Sequence, residues 1–128
     1  MSDELTSNME DYLETIYLIH LNHGFVRVKE IARETGNSMP SVSNAVKILE
    51  KNGFVDHPKY DLITLTKKGR IKAESIYRRH RLIHRFLHDV LGVARETAEK
   101  DACRIEHNVS DETIDGLERF MKIADNEL

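Results

Sequence analysis

The stretch "VRVKEIARETGNSMPSVSNAVKILEKNGFVDHPKYDLITLT", Val26 to Thr66, decides the architecture. Val28, Ile31 and Ala32 recur at helical spacing, and Gly36 ends that short helix. Ser38 can cap a second helix, with Pro40 in its first turn, where a missing N–H costs nothing. Val42, Ala45, Val46 and Leu49 form one apolar stripe along it; Ser41, Ser43, Asn44 and Lys47 lie off the stripe. Gly53 closes the helix. Two short β-rich runs, Phe54-Val55 and Leu62–Leu65, then flank a Pro-Lys-Tyr-Asp turn and read as a small hairpin.

Working outward, "TSNMEDYLETIYLIHLNHG" precedes this block and reads as a further helix. Ser7 or Asn8 can cap it, acids occupy its first turn and Gly24 follows its end. Helix, helix, tight turn, helix, hairpin is the order of a winged helix-turn-helix. In that arrangement one helix enters the DNA major groove and the hairpin lies along the backbone. Downstream, a long helix capped by Thr66 runs to about Leu91-Gly92. Two amphipathic helices follow over 95–107 and 110–124, the second capped by Ser110 with Asp111 and Glu112 in its first turn. Ala98, Ala102, Ile105, Ile114, Leu117, Phe120 and Met121 exceed what one thin layer over the long helix needs, and a homodimer interface is their natural outlet. The expected fold is mainly α with a small β wing. A winged helix-turn-helix DNA-binding domain spans 1–73, and a helical dimerisation and metal-binding domain spans 74–128.

The net charge of −3 argues against nucleic acid, but its distribution argues for it. Residues 1–24 carry five acids and no Lys or Arg; residues 25–72 carry ten basic residues against five acids; residues 73–128 carry nine against twelve. Phosphate contacts need local positive charge, and the basic segment coincides with the expected DNA-binding module. Lys67, Lys68, Arg70 and Lys72 crowd the start of the long helix against its dipole. That placement suits either an anionic partner such as DNA phosphate or a solvated basic turn. No apolar run is long enough for a bilayer, the N-terminus lacks a signal-peptide pattern, and a single cysteine excludes an internal disulfide framework. The expected location is the cytoplasm, with no membrane partner and no organic substrate.

The cysteine lies in "DACRIEHNVSDE", where Cys103, Glu106 and His107 are at i, i+3 and i+4, with Glu99 one turn upstream. Such positions share a helix face, roughly 5–6 Å apart at Cβ. His80 and His84 are i, i+4 in the long helix; Asp11 and Glu14 are i, i+3 in the first. Three helices thus each offer a short row of ligand types. Carboxylate and imidazole suit Mn(II) or Fe(II), while a thiolate draws towards Fe(II), Zn(II), Co(II) or Ni(II). Each residue alone has a plainer reading: a lone helical Cys is usually a small buried hydrophobe, and a Glu near Lys or Arg is a surface pair. The joint spacing is what favours ligands. His20, His23, His57 and His88 read as surface or packing residues.

The segments "MEDYLETIY", "SMPSVSNAVKILEKNGFV", "LTKKGR", "RRHRLIHRFL" and "DACRIEHNVSDE" resemble the diphtheria-toxin-repressor family of metal-dependent transcriptional regulators, over nearly the whole chain. The resemblance implies the following. Asp11 matches the first-helix ligand of the manganese branch, which is Met in the iron branch, and Glu14 matches a carboxylate of the manganese branch. Cys103, Glu106 and His107 match the main site of the iron branch, where the manganese branch has Glu in place of the cysteine. His80 matches a ligand of both. His84 and Glu99 stand where the iron branch has Glu and then His, an exchanged pair that keeps the donor inventory. The chain is therefore a hybrid that would take Fe(II) or Mn(II), one or two ions per subunit, with Zn(II), Co(II) or Ni(II) as surrogates. It ends before the SH3-like domain that many iron-branch members carry. Ser38, Pro40, Ser41, Ser43 and Asn44 match the family's DNA-contact positions, and Arg27 and Lys47 complete the DNA-binding set. Hydroxyls and an amide can bond phosphates or base edges, and Pro40 can touch a thymine methyl. No Arg is placed there to grip guanine, so readout through DNA shape makes up the rest.

The expected function is a homodimeric, metal-dependent regulator, a repressor, acting on a palindromic double-stranded operator of metal-homeostasis genes. Metal would neutralise the acidic cluster, hold the first helix and set the recognition helices about one DNA turn, ~34 Å, apart. Two rivals are a winged-helix regulator sensing oxidant or another ligand through Cys103, and a metal-dependent or thiol enzyme. The enzyme lacks a Gly-rich loop, an oxyanion candidate or a cleft-forming sheet in the sequence.

Overall fold

A computed structural model describes residues 5–58 and 62–127, with side chains to 125. Lys59, Tyr60 and Asp61 of the expected hairpin turn lie outside the described residues. The chain divides into two compact units, Met1–Glu74 and Ser75–Leu128.

The first unit opens with α1 (Ser7–His23). Its cap is Thr6, whose hydroxyl accepts the Met9 N–H at 3.1 Å, in place of the expected Ser7 or Asn8. Three cap-type side chains stand in a row there, and the one with extended backbone takes the role. Helix α2 (Val28–Thr35) starts at Arg27, whose N–H is held by the Glu30 carboxylate at 2.8 Å. The chain turns at Gly36, with φ of +74°, a conformation that side-chain-bearing residues adopt at a cost. Ser38 caps α3 (Met39–Lys51), accepting the Ser41 N–H at 3.2 Å, and Pro40 sits in the first turn.

Tyr12, Leu13, Ile16, Val28, Ile31, Val42, Ala45, Val46 and Leu49 are buried, and α1, α2 and α3 pack on one another. The wing is an antiparallel pair, β1 (Val55–Asp56) and β2 (Thr64–Leu65), with Val55 opposite Leu65. Val26 adds an antiparallel bridge to Ile63, which the sequence pattern does not announce.

Helix α4 (Lys67–Arg85) starts under the Thr66 hydroxyl, which accepts the Gly69 N–H at 2.9 Å. Gly69 is required there: a Cβ would lie 1.8 Å from the Phe54 carbonyl oxygen. The basic start of α4 is partly committed within the unit. Lys68 donates to the Asn52 carbonyl at 2.8 Å and lies over the Phe54 ring, and Lys72 pairs with Glu10.

The second unit begins within α4. A π-helical turn (Phe86–Val90) continues it, where a single α-helix to Leu91 was expected. Helices α5 (Arg95–Ile105) and α6 (Asp111–Glu127) follow, with Ser110 capping α6 through the Thr113 N–H at 3.2 Å. The core gathers Leu82, Ile83, Ala102, Ile114 and Met121, with Phe86, Leu87, Val109 and Leu117 partly buried against it. Arg78 pairs with Glu118 at 2.6 Å and Arg85 with Asp125 at 2.9 Å, tying α4 to α6. Phe120 and Ile123 of α6 remain exposed. Among the described residues, no helix is long and apolar enough to cross a membrane.

Candidate metal centre

The second unit brings His80 of α4 against Cys103 and Glu106 at the end of α5. One ligand atom from each, nitrogen, sulfur and oxygen, lies within 4.8 Å of the others. Two helical periods produce this. His80 is on the α4 face that turns towards α5. Cys103 and Glu106 are three apart and so share a face.

Helix α5 ends at Ile105, so Glu106 is its C-cap and His107 falls in the turn beyond, not on the helix as expected. The departure has a cause: the Glu106 carbonyl accepts from Arg79 Nη1 at 3.1 Å, and Arg79 also holds the Val109 carbonyl, which draws the chain off the helical path. His107 is half-buried on that turn and is not one of the three converging donors.

The Glu106 side chain is 0% exposed, an expensive place for a carboxylate without a cation or donor beside it. Its Oε1 lies 3.0 Å from His80 Nδ1, and Cys103 Sγ lies 3.9 Å from the same nitrogen. On the other side of the ring, Nε2 is 2.8 Å from Glu99 Oε2. His80 is thus sandwiched between two carboxylates and beside a thiol. The contacts with Cys103 and then Glu106 push its imidazole up to about 11; burial opposes the rise and Glu99 adds to it. Without a metal, the imidazolium is the cation this acidic pocket holds. His84 Nε2 is 3.8 Å from Glu99 Oε1, and the His80, His84 and His88 rings follow one another along the helix with centroids 6.3 and 6.0 Å apart. His88 Nδ1 lies 2.8 Å from the Val93 carbonyl oxygen, in line with its reading as a packing residue.

One imidazole, one thiol and one buried carboxylate fit a divalent ion of intermediate softness, with His84 and Glu99 adjoining as a further imidazole and carboxylate. Asp11 and Glu14 are in the first unit, on α1. Asp11 is exposed and Glu14 is 92% buried, being 8% accessible.

The remaining site candidates are also in the first unit. Ser38, Pro40, Ser41, Asn44 and Lys47 are exposed on or beside α3, Ser43 is half-buried, and Arg27 is exposed at the start of α2. The Ser38 and Ser41 hydroxyls bond each other at 2.9 Å, so the cap of α3 shares these groups with any DNA contact. Two residues escaped the sequence reading. Met39, 50% exposed in the first turn of α3, offers an apolar tip suited to a thymine methyl. Arg79 holds the turn after Glu106; within "RRHR" it reads as one more surface cation.

Two family models match the chain: the iron dependent repressor N-terminal DNA binding domain over residues 4–62, and the iron dependent repressor metal binding and dimerisation domain over residues 66–126. An HTH-type transcriptional regulator of Methanocaldococcus jannaschii is 38% identical over 119 residues, covering 92% of this chain and 95% of that relative. The HTH-type transcriptional regulator MntR of Lysinibacillus sphaericus is 35% identical over 120 residues, covering 94% of this chain and 86% of the relative. Among solved structures, the manganese regulator SloR superposes over 92% of this chain with a TM-score of 0.81 and 38% identity; the chain spans 55% of that protein's length. These relatives are transcriptional regulators, not enzymes. The helix-turn-helix unit, the acidic pocket around His80 and these matches agree: the chain belongs to the iron-dependent, or diphtheria-toxin, repressor family of metal-dependent transcriptional regulators.

Proposed function

We propose that this chain is a metal-responsive repressor in which His80, Cys103 and Glu106 hold Fe(II) or Mn(II), with His107 joining them on the strength of the family resemblance, and α3 reads a palindromic operator as part of a cytoplasmic homodimer. The observation that carries the reading is the convergence of three different donor atoms within 4.8 Å around a buried carboxylate. A bound divalent ion supplies the positive charge that this acidic pocket otherwise takes from a proton on His80. The chain's own groups do the rest. Glu99 holds His80 Nε2, which fixes the ring's orientation and turns Nδ1 towards Glu106 and Cys103. Asn44 and Lys47 are exposed off the α3 core stripe, where they can meet base edges and phosphate, and Ser41 is exposed beside them while bonded to Ser38. Exposed Phe120 and Ile123 on α6 supply apolar surface of the kind a dimer covers.

The thiolate favours Fe(II), whereas the likeness to a manganese regulator favours Mn(II). Asp11 and Glu14 enter the ligand set through the family resemblance, and His84 with Glu99 marks the place of a second ion. The test is selection of duplex DNA from a random pool by the full chain, run anaerobically with Fe(II), Mn(II) or a chelator. A two-fold symmetric sequence should be enriched with metal and not with chelator. Equal enrichment in both would end the metal-responsive reading. Asp11→Ala should lose the metal stimulation while sedimenting as a dimer.

A further inference from the structure

Helix α4 grips Glu106 at both ends. His80 takes its side chain, and the preceding residue, Arg79, takes its main chain. Arg79 Nη1 donates to the Glu106 carbonyl at 3.1 Å and to the Val109 carbonyl, and Nη2 donates to Asp111 Oδ1. The Arg79 side chain is only 18% exposed, and its bonds to the two carbonyls are partly buried, whereas Asp111 stands in solvent. Glu106 and Val109 bracket the turn that leaves α5, and Asp111 begins α6. The last carbonyls of a helix lack intrahelical partners, and a cation there satisfies them and the helix dipole together. Diverging acceptors of this kind suit a planar guanidinium fork, which an ammonium cannot reproduce. On charge alone, however, a guanidinium beside the pocket opposes a second cation. Geometry and charge therefore predict opposite signs for its removal.

We infer that Arg79 is a positioning residue of the metal centre: by fixing the turn from Glu106 to Asp111 it aims the Glu106 carboxylate at His80 and Cys103, and so raises metal affinity in spite of its charge. The inference rests on the metal reading of the pocket proposed above.

The experiment is an anaerobic Co(II) titration of the full chain, followed by absorbance. The thiolate-to-cobalt charge-transfer band reports Cys103, and the d–d bands report the shape of the site. Wild type, Arg79→Ala and Arg79→Lys are compared, with thermal melts of each metal-free chain alongside. Both variants should bind Co(II) about 10–100-fold more weakly and show altered d–d bands while still melting cooperatively. Should Arg79→Ala not fold, Arg79→Lys carries the test, because it keeps the charge and loses the fork. Unchanged or tighter binding by Arg79→Ala would overturn the inference, as would wild-type affinity and spectrum in Arg79→Lys. A wild-type chain that develops no Co(II) bands would overturn the metal reading itself, and the inference with it.

Discussion

The two units differ in how they bury ionisable groups: among the described residues the first buries one carboxylate, Glu14 on α1, and the second buries a pair in contact, His80 and Glu106. In the DNA-binding unit the interior of α2, α3 and the wing is apolar, from Ile31 and Leu49 to Phe54 and Ile63, and the hydroxyls and amide of α3 stand outward. In the second unit two ionisable groups are inside: Glu106, 1% exposed, and His80, 8% exposed. Burial of aliphatic side chains stabilises a fold whatever the solution contains. A buried carboxylate beside an imidazole and a thiol does so only when a proton or a cation is present. The contacting pair whose contribution depends on a proton or cation therefore lies in the second unit, and the outward hydroxyls and amide of α3 lie in the first.

The largest effect should come from breaking the apolar side of this contrast. Gly69→Ala forces a methyl against the Phe54 carbonyl oxygen and should lower stability by about 3 kcal/mol, measured by urea unfolding. A loss under ~1 kcal/mol would mean that α4 and the start of the wing are not held as closely as the geometry says.

Glu106→Gln tests the polar side. It keeps the shape and removes the charge, and should weaken Co(II) or Mn(II) binding by about 100-fold in calorimetry. It should also remove the metal-induced rise in melting temperature. A variant that still melts higher with metal would show that the ion sits elsewhere.

Dependence on pH sharpens the comparison further. His80 is raised from 6.5 to about 11, so its protonation stabilises the metal-free fold fully below pH ~6.5, and that contribution is lost as pH rises through about 11. Metal must displace this proton. Affinity should therefore climb up to ~tenfold per pH unit for each proton released, between pH 6.5 and 8.5. Titration in two buffers of different ionisation enthalpy counts the protons. A count of zero at pH 7.5 would mean a neutral His80.

The smallest effect belongs to the DNA-reading face. Lys47→Ala should weaken operator binding a few-fold and reduce the salt slope by about 0.9, equally at every metal concentration. A metal-dependent loss would mean that Lys47 belongs to the switch rather than to the reader.

Much of this was legible in the sequence because it is local. Glycines at the ends of α1, α2 and α3, the Ser38 and Ser110 caps and the apolar stripe from Val42 to Leu49 each depend on neighbours a few positions away. Spacing also brought Cys103 and Glu106 to one face. What it could not show depends on distant partners. Lys68 and Lys72 look like free cations until Asn52, Phe54 and Glu10 are found beside them. Helical periodicity carried α5 through His107, whereas Arg79, 27 residues before Glu106, ends the helix sooner. The Val26–Ile63 bridge joins residues that no pattern pairs.

The π-helical turn at Phe86–Val90 has a consequence for comparing chain lengths. The Leu91 N–H reaches back to the Phe86 carbonyl, five residues away, so this turn holds one residue more than an α-turn would. A homologue with one residue fewer at this point could wind on as regular helix with His80 and His84 undisturbed. Side chains beyond the deletion would keep their places around the axis, because the wide turn already absorbs the additional residue. Alignments across 86–92 should therefore slip by a single position, and a gap placed there records a change of winding rather than a lost loop.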